Sequence, residues 1–314
     1  MRRRPRIPTC RPALLLTLIS LAIPTLTSSA DNTHQPTGSQ RAPIPTNNPD
    51  PAFNRVAMIG ASATAGFTVS EPLGGPKTDR LRLDRYWDAA LDFPHGPARN
   101  FAHALFFLQP EPAGKQEVDQ ALALHPTLVV ATDFLFWFCY GEGRTDADRL
   151  KRFEGGLKLL DNFDCPIVVG DLPDASATVN IMLLPEQMPS PKALAAANTR
   201  LKSWAASRKS VFILPLSQFM SRAVSNLSLT VHGQHIPADK TRAILQDDRL
   251  HPTQAGAAVL ALAIIDLLQS AQPEQFAGTV NWDRDSVLKA GSSRRLDPVP
   301  ALSPESKAAT PLRP

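Results

Sequence analysis

Four short apolar runs, rich in β-branched residues, recur between longer helical patterns, and this alternation constrains the fold more than any other feature. They are RVAMI at 55–59, TLVVA at 127–131, PIVVG at 166–170 and SVFIL at 210–214. Runs this short and this continuously apolar read as strands buried on both faces. Between and after them lie helical patterns. Residues 80–91 place Leu81, Leu83, Trp87 and Leu91 near a 3.6-residue period; 146–160 and 191–207 are longer; 253–268 is a closing helix rich in Ala and Leu. Strands alternating with helices predict an α/β domain: three layers, doubly wound, with a mostly parallel sheet of about five strands covered on both faces. In such sheets ligands gather at the carboxyl ends of the strands. A chain of 314 residues that is 43% hydrophobic and 20% charged supports one sizeable domain of this kind.

The ends read differently. MRRRPR, the apolar stretch ALLLTLISLAIPTL and the small residues Ser28, Ser29 and Ala30 predict a secretory signal peptide over residues 1–30, cleaved after about Ala30. The apolar stretch is short for a span of about 20 residues and is interrupted by Pro24. An uncleaved N-terminal anchor is the alternative. The expected location is therefore secreted or periplasmic, with no integral span after cleavage. Loss of five arginines leaves 28 basic against 29 acidic residues, so the +4 of the full chain becomes −1. A chain with that balance is a poor partner for nucleic acid. Residues 31–52 are polar and proline-rich and predict a flexible linker, the domain proper spans 53–290, and 291–314 predict a disordered proline-rich tail. Cys139 and Cys165 survive maturation; a disulfide between them and two buried thiols are both compatible with the sequence.

The first strand runs into IGASATAGF, a turn with three possible uses. As a dinucleotide fingerprint it has Ser62 where the second glycine must let a pyrophosphate approach. As a phosphate loop it lacks the G-K-[ST] ending, since Phe67 and Thr68 follow Gly66. As a nucleophile turn it sets Ser62 between Ala61 and Ala63 just past a strand end, although Thr64 replaces the last glycine of a strict G-x-S-x-G elbow. A plain structural corner is the fourth possibility. A serine hydroxyl needs a base to remove its proton and a third group to orient that base, so the choice depends on partners elsewhere. QDDRLHP at 246–252 supplies them: Asp248 and His251 stand three residues apart, ahead of the last long helix, with Pro252 suited to a first helical turn.

With a G-x-S turn after the first strand and a late D-x-x-H-P, the chain resembles the SGNH (GDSL-type) esterase and lipase superfamily over roughly residues 53–270. The resemblance implies a flavodoxin-like sheet and makes Ser62 the nucleophile, His251 the general base and acid, and Asp248 its orienting carboxylate, with the Ser62 N–H as one oxyanion donor. No cofactor is implied. It also exposes departures: Ala61 stands where the family carries an aspartate, and the block that should supply an oxyanion asparagine reads VVATDFLFWF, with Asp133 near that place. Asp133 could donate to an oxyanion only if burial kept it protonated. Asn100, with Ala102 and His103, occupies the region of the second oxyanion block; FLFWF at 134–138 reads as hydrophobic core or, alternatively, places Phe136 or Trp137 as a wall of an acyl or sugar pocket. Asp171 and Asp174 read as turn and cap residues, and His232 and His235 as a solvated pair in a loop rather than a metal site. Together these predict a cofactor-independent, metal-free ester hydrolase that removes short acyl groups from carbohydrate or lipid esters. The alternative is a non-catalytic carbohydrate-binding or scaffold domain on the same fold.

Overall fold

The five-stranded sheet forms where the apolar runs predict it, with one strand that has no apolar run. The structure, a computed structural model, describes residues 51–141 and 145–294. The expected signal peptide, most of the expected linker and the tail from residue 295 lie outside the described residues. The strands are β1 (Val56–Met58), β2 (Arg99–Asn100), β3 (Leu128–Ala131), β4 (Ile167–Gly170) and β5 (Val211–Leu214), with a hairpin of β6 (Leu229–Val231) and β7 (Gln234–Ile236). The helices are α1 (Ser62–Ala65), α2 (Pro76–Asp79), α3 (Leu83–Ala90), α4 (Pro110–Ala123), α5 (Phe136–Cys139), α6 (Asp146–Leu160), α7 (Pro191–Ala206), α8 (Leu216–Val224), α9 (Ala238–Thr241), α10 (Gln254–Ala271) and α11 (Arg284–Ser293).

All five strands of the main sheet are parallel in the order β2-β1-β3-β4-β5. That order is the flavodoxin-like doubly wound arrangement, whose crevice lies where β1 and β3 diverge. Register sets the two faces. Val56 and Met58 pair with Leu128 and Val130 and point with them to one core, which α3, α10 and α11 cover. Ala57, Ile59, Val129 and Ala131 point to the other, which α4 to α7 cover. Eleven residues of α10 are buried, and fully burying one Leu or Ile is worth about 1.5–3 kcal/mol. The helix is long and apolar enough to cross a bilayer, but its apolar residues are spent against α3, α11 and β5.

Several elements depart from the sequence expectation. The predicted helix over 80–91 begins only at Leu83, because Arg82 is extended (φ −61°, ψ 133°). Helix α4 was not foreseen, because prolines crowd its first turn; there a missing N–H costs nothing. The domain also continues past residue 290. Arg85 donates to the carbonyls of Gly291, Ser292 and Arg294, and Arg294 pairs with Asp88 at 3.0 Å. Gly291 lies so close to the Tyr86 ring that a Cβ would collide with it. Cys139 and Cys165 are free thiols, and burial pushes both up to about 11.

Candidate active site

Helix α1 starts at the carboxyl end of β1, and its first residue is Ser62. Such a start leaves backbone N–H groups without helical partners. The Asp133 carboxylate, just beyond β3, takes most of them: Oδ1 accepts from Ala61 N at 3.0 Å and Thr64 Oγ1 at 2.6 Å, and Oδ2 from Ala63 N at 2.7 Å and, more weakly, Thr64 N at 3.4 Å. The Ser62 N–H alone in this turn makes no hydrogen bond among the described residues. Gly60, at φ +150°, is required here, since a Cβ would strike Asp133 Oδ1. On its other side Gly60 N donates to Glu117 Oε2 at 2.8 Å. Glu117 is fully buried on α4, and burial, only partly offset by that hydrogen bond, pushes its carboxyl up to about 9.

The histidine comes from a tight local turn. Arg249 adopts φ +61°, which folds the chain back so that Asp248 Oδ1 accepts from Leu250 N (2.9 Å) and His251 N (3.0 Å) while Oδ2 faces His251 Nδ1 at 2.7 Å. With Nδ1–H donating to the carboxylate, Nε2 is left as an acceptor, and Ser62 Oγ lies 2.8 Å from it. Asp248 and His251 are buried. Burial alone would raise the Asp248 carboxyl, but the hydrogen bonds from the His251 ring and backbone, its charge and the Leu250 N–H together hold it below the usual carboxylate value. Gln246 fastens this turn to the serine turn, donating through Nε2 to Phe67 O at 2.6 Å and Pro252 O at 2.9 Å. The Phe67 ring packs 4.3 Å from the imidazole.

No protein-family model matches the chain, and no curated protein matches it. Among solved structures, a lipase/acylhydrolase from Enterococcus faecalis is similar over 69% of this chain and 96% of its own, at 18% identity and a TM-score of 0.46. A GDSL-like lipase from Bacteroides thetaiotaomicron is similar over 70% of this chain and 89% of its own, at 14% identity and a TM-score of 0.41.

The expected oxyanion groups are arranged otherwise than their positions suggest. Asp133 faces four donors, so it is an acceptor that holds the serine turn and not a donor to an oxyanion. Asn100 spends both amide hydrogens, on Thr64 O (2.9 Å) and Asp84 Oδ1 (2.8 Å), and accepts from Ala102 N at 3.0 Å. The Ala102 N–H is thereby used, and His103 N donates to Gly60 O at 3.1 Å. Asn100 therefore braces α1 from below. Thr132, preceding Asp133, has a buried hydroxyl without a partner. Phe134, Phe136, Trp137 and Phe138 all belong to the core, and Phe136 and Trp137 also line a pocket that opens at Ser62. Asp171 accepts from Ser217 N and Oγ at the start of α8, and Asp174 from Ser176 N. His232 and His235 are both exposed in the β6–β7 hairpin, and His232 also bonds Asp266 through its backbone N–H and Nδ1 and stacks on Trp282 at 3.6 Å. Among the described residues no cluster of three His, Cys, Asp or Glu side chains is placed to hold a metal ion.

Sequence reasoning missed Glu117, Gln246 and Phe67. Gln246 stands two residues before Asp248, which was a signal available in the sequence. Glu117 gave none, because one acid in PEPAGKQEVDQ reads as part of a solvated helix face.

Proposed function

We propose that the chain is an exported serine ester hydrolase of the SGNH type that works through an acyl-enzyme, removing short acyl groups from carbohydrate or lipid esters. The observation that carries this reading is the continuous hydrogen-bonded series from Asp248 through His251 to Ser62, 2.7 and 2.8 Å at its two links. Ser62 Oγ attacks the ester carbonyl while His251 Nε2 takes its proton. Asp248 keeps the imidazole in the tautomer that presents Nε2 and stabilises the imidazolium as it forms. His251 then returns the proton to the leaving alcohol, and water, activated by the same nitrogen, releases the acid. The Ser62 N–H, left free by the Asp133 cradle, is one donor to the developing oxyanion. Export belongs to the same proposal, with residues 1–30 as the signal; N-terminal mass spectrometry of secreted protein should begin near residue 31.

A non-catalytic binding or scaffold domain draws support from the engaged amide of Asn100 and the acceptor role of Asp133. Hydrolysis of 4-nitrophenyl acetate separates the two. The enzyme reading expects turnover by the wild type and its loss in Ser62→Ala; equal rates for the two proteins would leave only the binding domain.

A further inference from the structure

Ser62 and His251 open onto a channel walled by α5, α8 and α10. Its polar side chains are Ser62, Asp133 and His251 of the catalytic cluster and the indole of Trp137; the other side chains lining it are apolar. We propose, resting on the ester-hydrolase reading above, that this channel is the acyl site and takes a linear, uncharged acyl chain of about four carbons in preference to acetyl, long-chain or aromatic acyl groups.

Position along α10 gives the channel its direction. Gly256, Val259 and Leu260 recur at spacings of three and four residues and so share one face of α10, and Pro252 just before the helix lines the same pocket next to His251. Leu216 and Met220 of α8 form the opposite wall. Gly256 closes one side tightly, because a Cβ there would collide with the Ile244 carbonyl oxygen. Apart from the Trp137 indole N–H, no side chain beyond the catalytic cluster can pair with a hydroxyl, an ammonium or a carboxylate, and burying such a group unpaired is strongly unfavourable. An acyl group bearing one is excluded.

Volume sets the length. The channel, open at its mouth, has a volume of about 90 Å³. A dry apolar cavity of about 150 Å³ accommodates six-carbon benzene, so the channel corresponds to about four carbons and is too small for a ring. Burying one methylene is worth about fourfold in kcat/KM. Two methylenes separate acetyl from butanoyl, which gives roughly fifteenfold.

The test is kcat/KM for the 4-nitrophenyl esters of acetic, butanoic, octanoic and benzoic acids. The wild type should favour butanoate over acetate by about fifteenfold and over octanoate and benzoate as well. Met220→Trp, which fills the channel, should bring the butanoate-to-acetate ratio near one, and Leu260→Ala should move the optimum toward octanoate. Ratios within one protein are independent of how much of a variant is folded. Acetate cleaved as well as butanoate by the wild type, or ratios unmoved in both variants, would overturn the acyl-site assignment while leaving the ester hydrolase intact. No turnover of any ester, with no reaction of Ser62 with diisopropyl fluorophosphate, would remove both.

Discussion

Replacing Asp133 by Asn keeps the shape of the side chain and removes half of its accepting capacity. One oxygen now holds Ala61 N and Thr64 Oγ1 and the other Ala63 N and Thr64 N, with the shortest links at 2.6 and 2.7 Å. Asparagine offers a single oxygen, so its amide must face at least one backbone N–H whichever way it turns. One charge-assisted hydrogen bond, worth about 1.5–3 kcal/mol, is lost, and the survivors weaken from ionic to neutral. The expected destabilisation is about 3 kcal/mol, which for a domain of this size lowers Tm by roughly 6–12 °C. Because the same bonds fix the backbone of Ser62, kcat/KM measured well below the transition should fall about a hundredfold as the hydroxyl drifts from His251. Calorimetry and ester hydrolysis on one preparation read both effects. A Tm within about 2 °C of the wild type, with unchanged kcat/KM, would refute the cradle argument.

Other perturbations follow from the same geometry. Burial lets Glu117 hold its proton to about pH 9 in the folded protein, against 4.5 for an ordinary glutamate; its contribution is therefore fully present below pH 4.5 and is lost as pH rises toward 9, at up to about 1.4 kcal/mol per pH unit. Glu117→Gln still accepts from Gly60 N and does not titrate, so urea unfolding should show its stability gaining on the wild type between pH 6 and 9, about the titration window; parallel curves would contradict this. Asp248→Asn should lower kcat about 10³–10⁴-fold by presenting the wrong imidazole tautomer, with little change in KM, as steady-state kinetics will show. Arg85→Ala removes three hydrogen bonds to the end of α11 and should destabilise by about 2 kcal/mol or more. Hydrogen exchange should rise across α11 first; uniform exchange would contradict the clasp.

The sequence exposed those parts of the fold and site whose causes are local. Strands β1, β3, β4 and β5 announced themselves as continuous apolar runs because both of their faces are covered. Strand β2 did not, since it is two residues, Arg99 and Asn100, whose pairing is set by β1. The Asp248–His251 turn was legible because a three-residue spacing brings carboxylate and imidazole together within one turn, and the fold sets Ser62 Oγ 2.8 Å from the free ring nitrogen. Asp133 and Asn100 were placed in the right neighbourhood with the wrong chemistry. Whether a side chain donates or accepts there depends on N–H groups that the β1–β3 register aims at it, across about seventy residues of chain. Glu117 was invisible for the same reason: only the packing of α4 under Gly60 makes it buried.

Mass spectrometry after treatment with a fluorophosphonate decides whether Ser62 is a nucleophile activated by His251. One adduct is expected, on the peptide that carries Ser62, absent from Ser62→Ala and strongly slowed in His251→Ala. No adduct on the folded wild type, or equal labelling with and without His251, would contradict it.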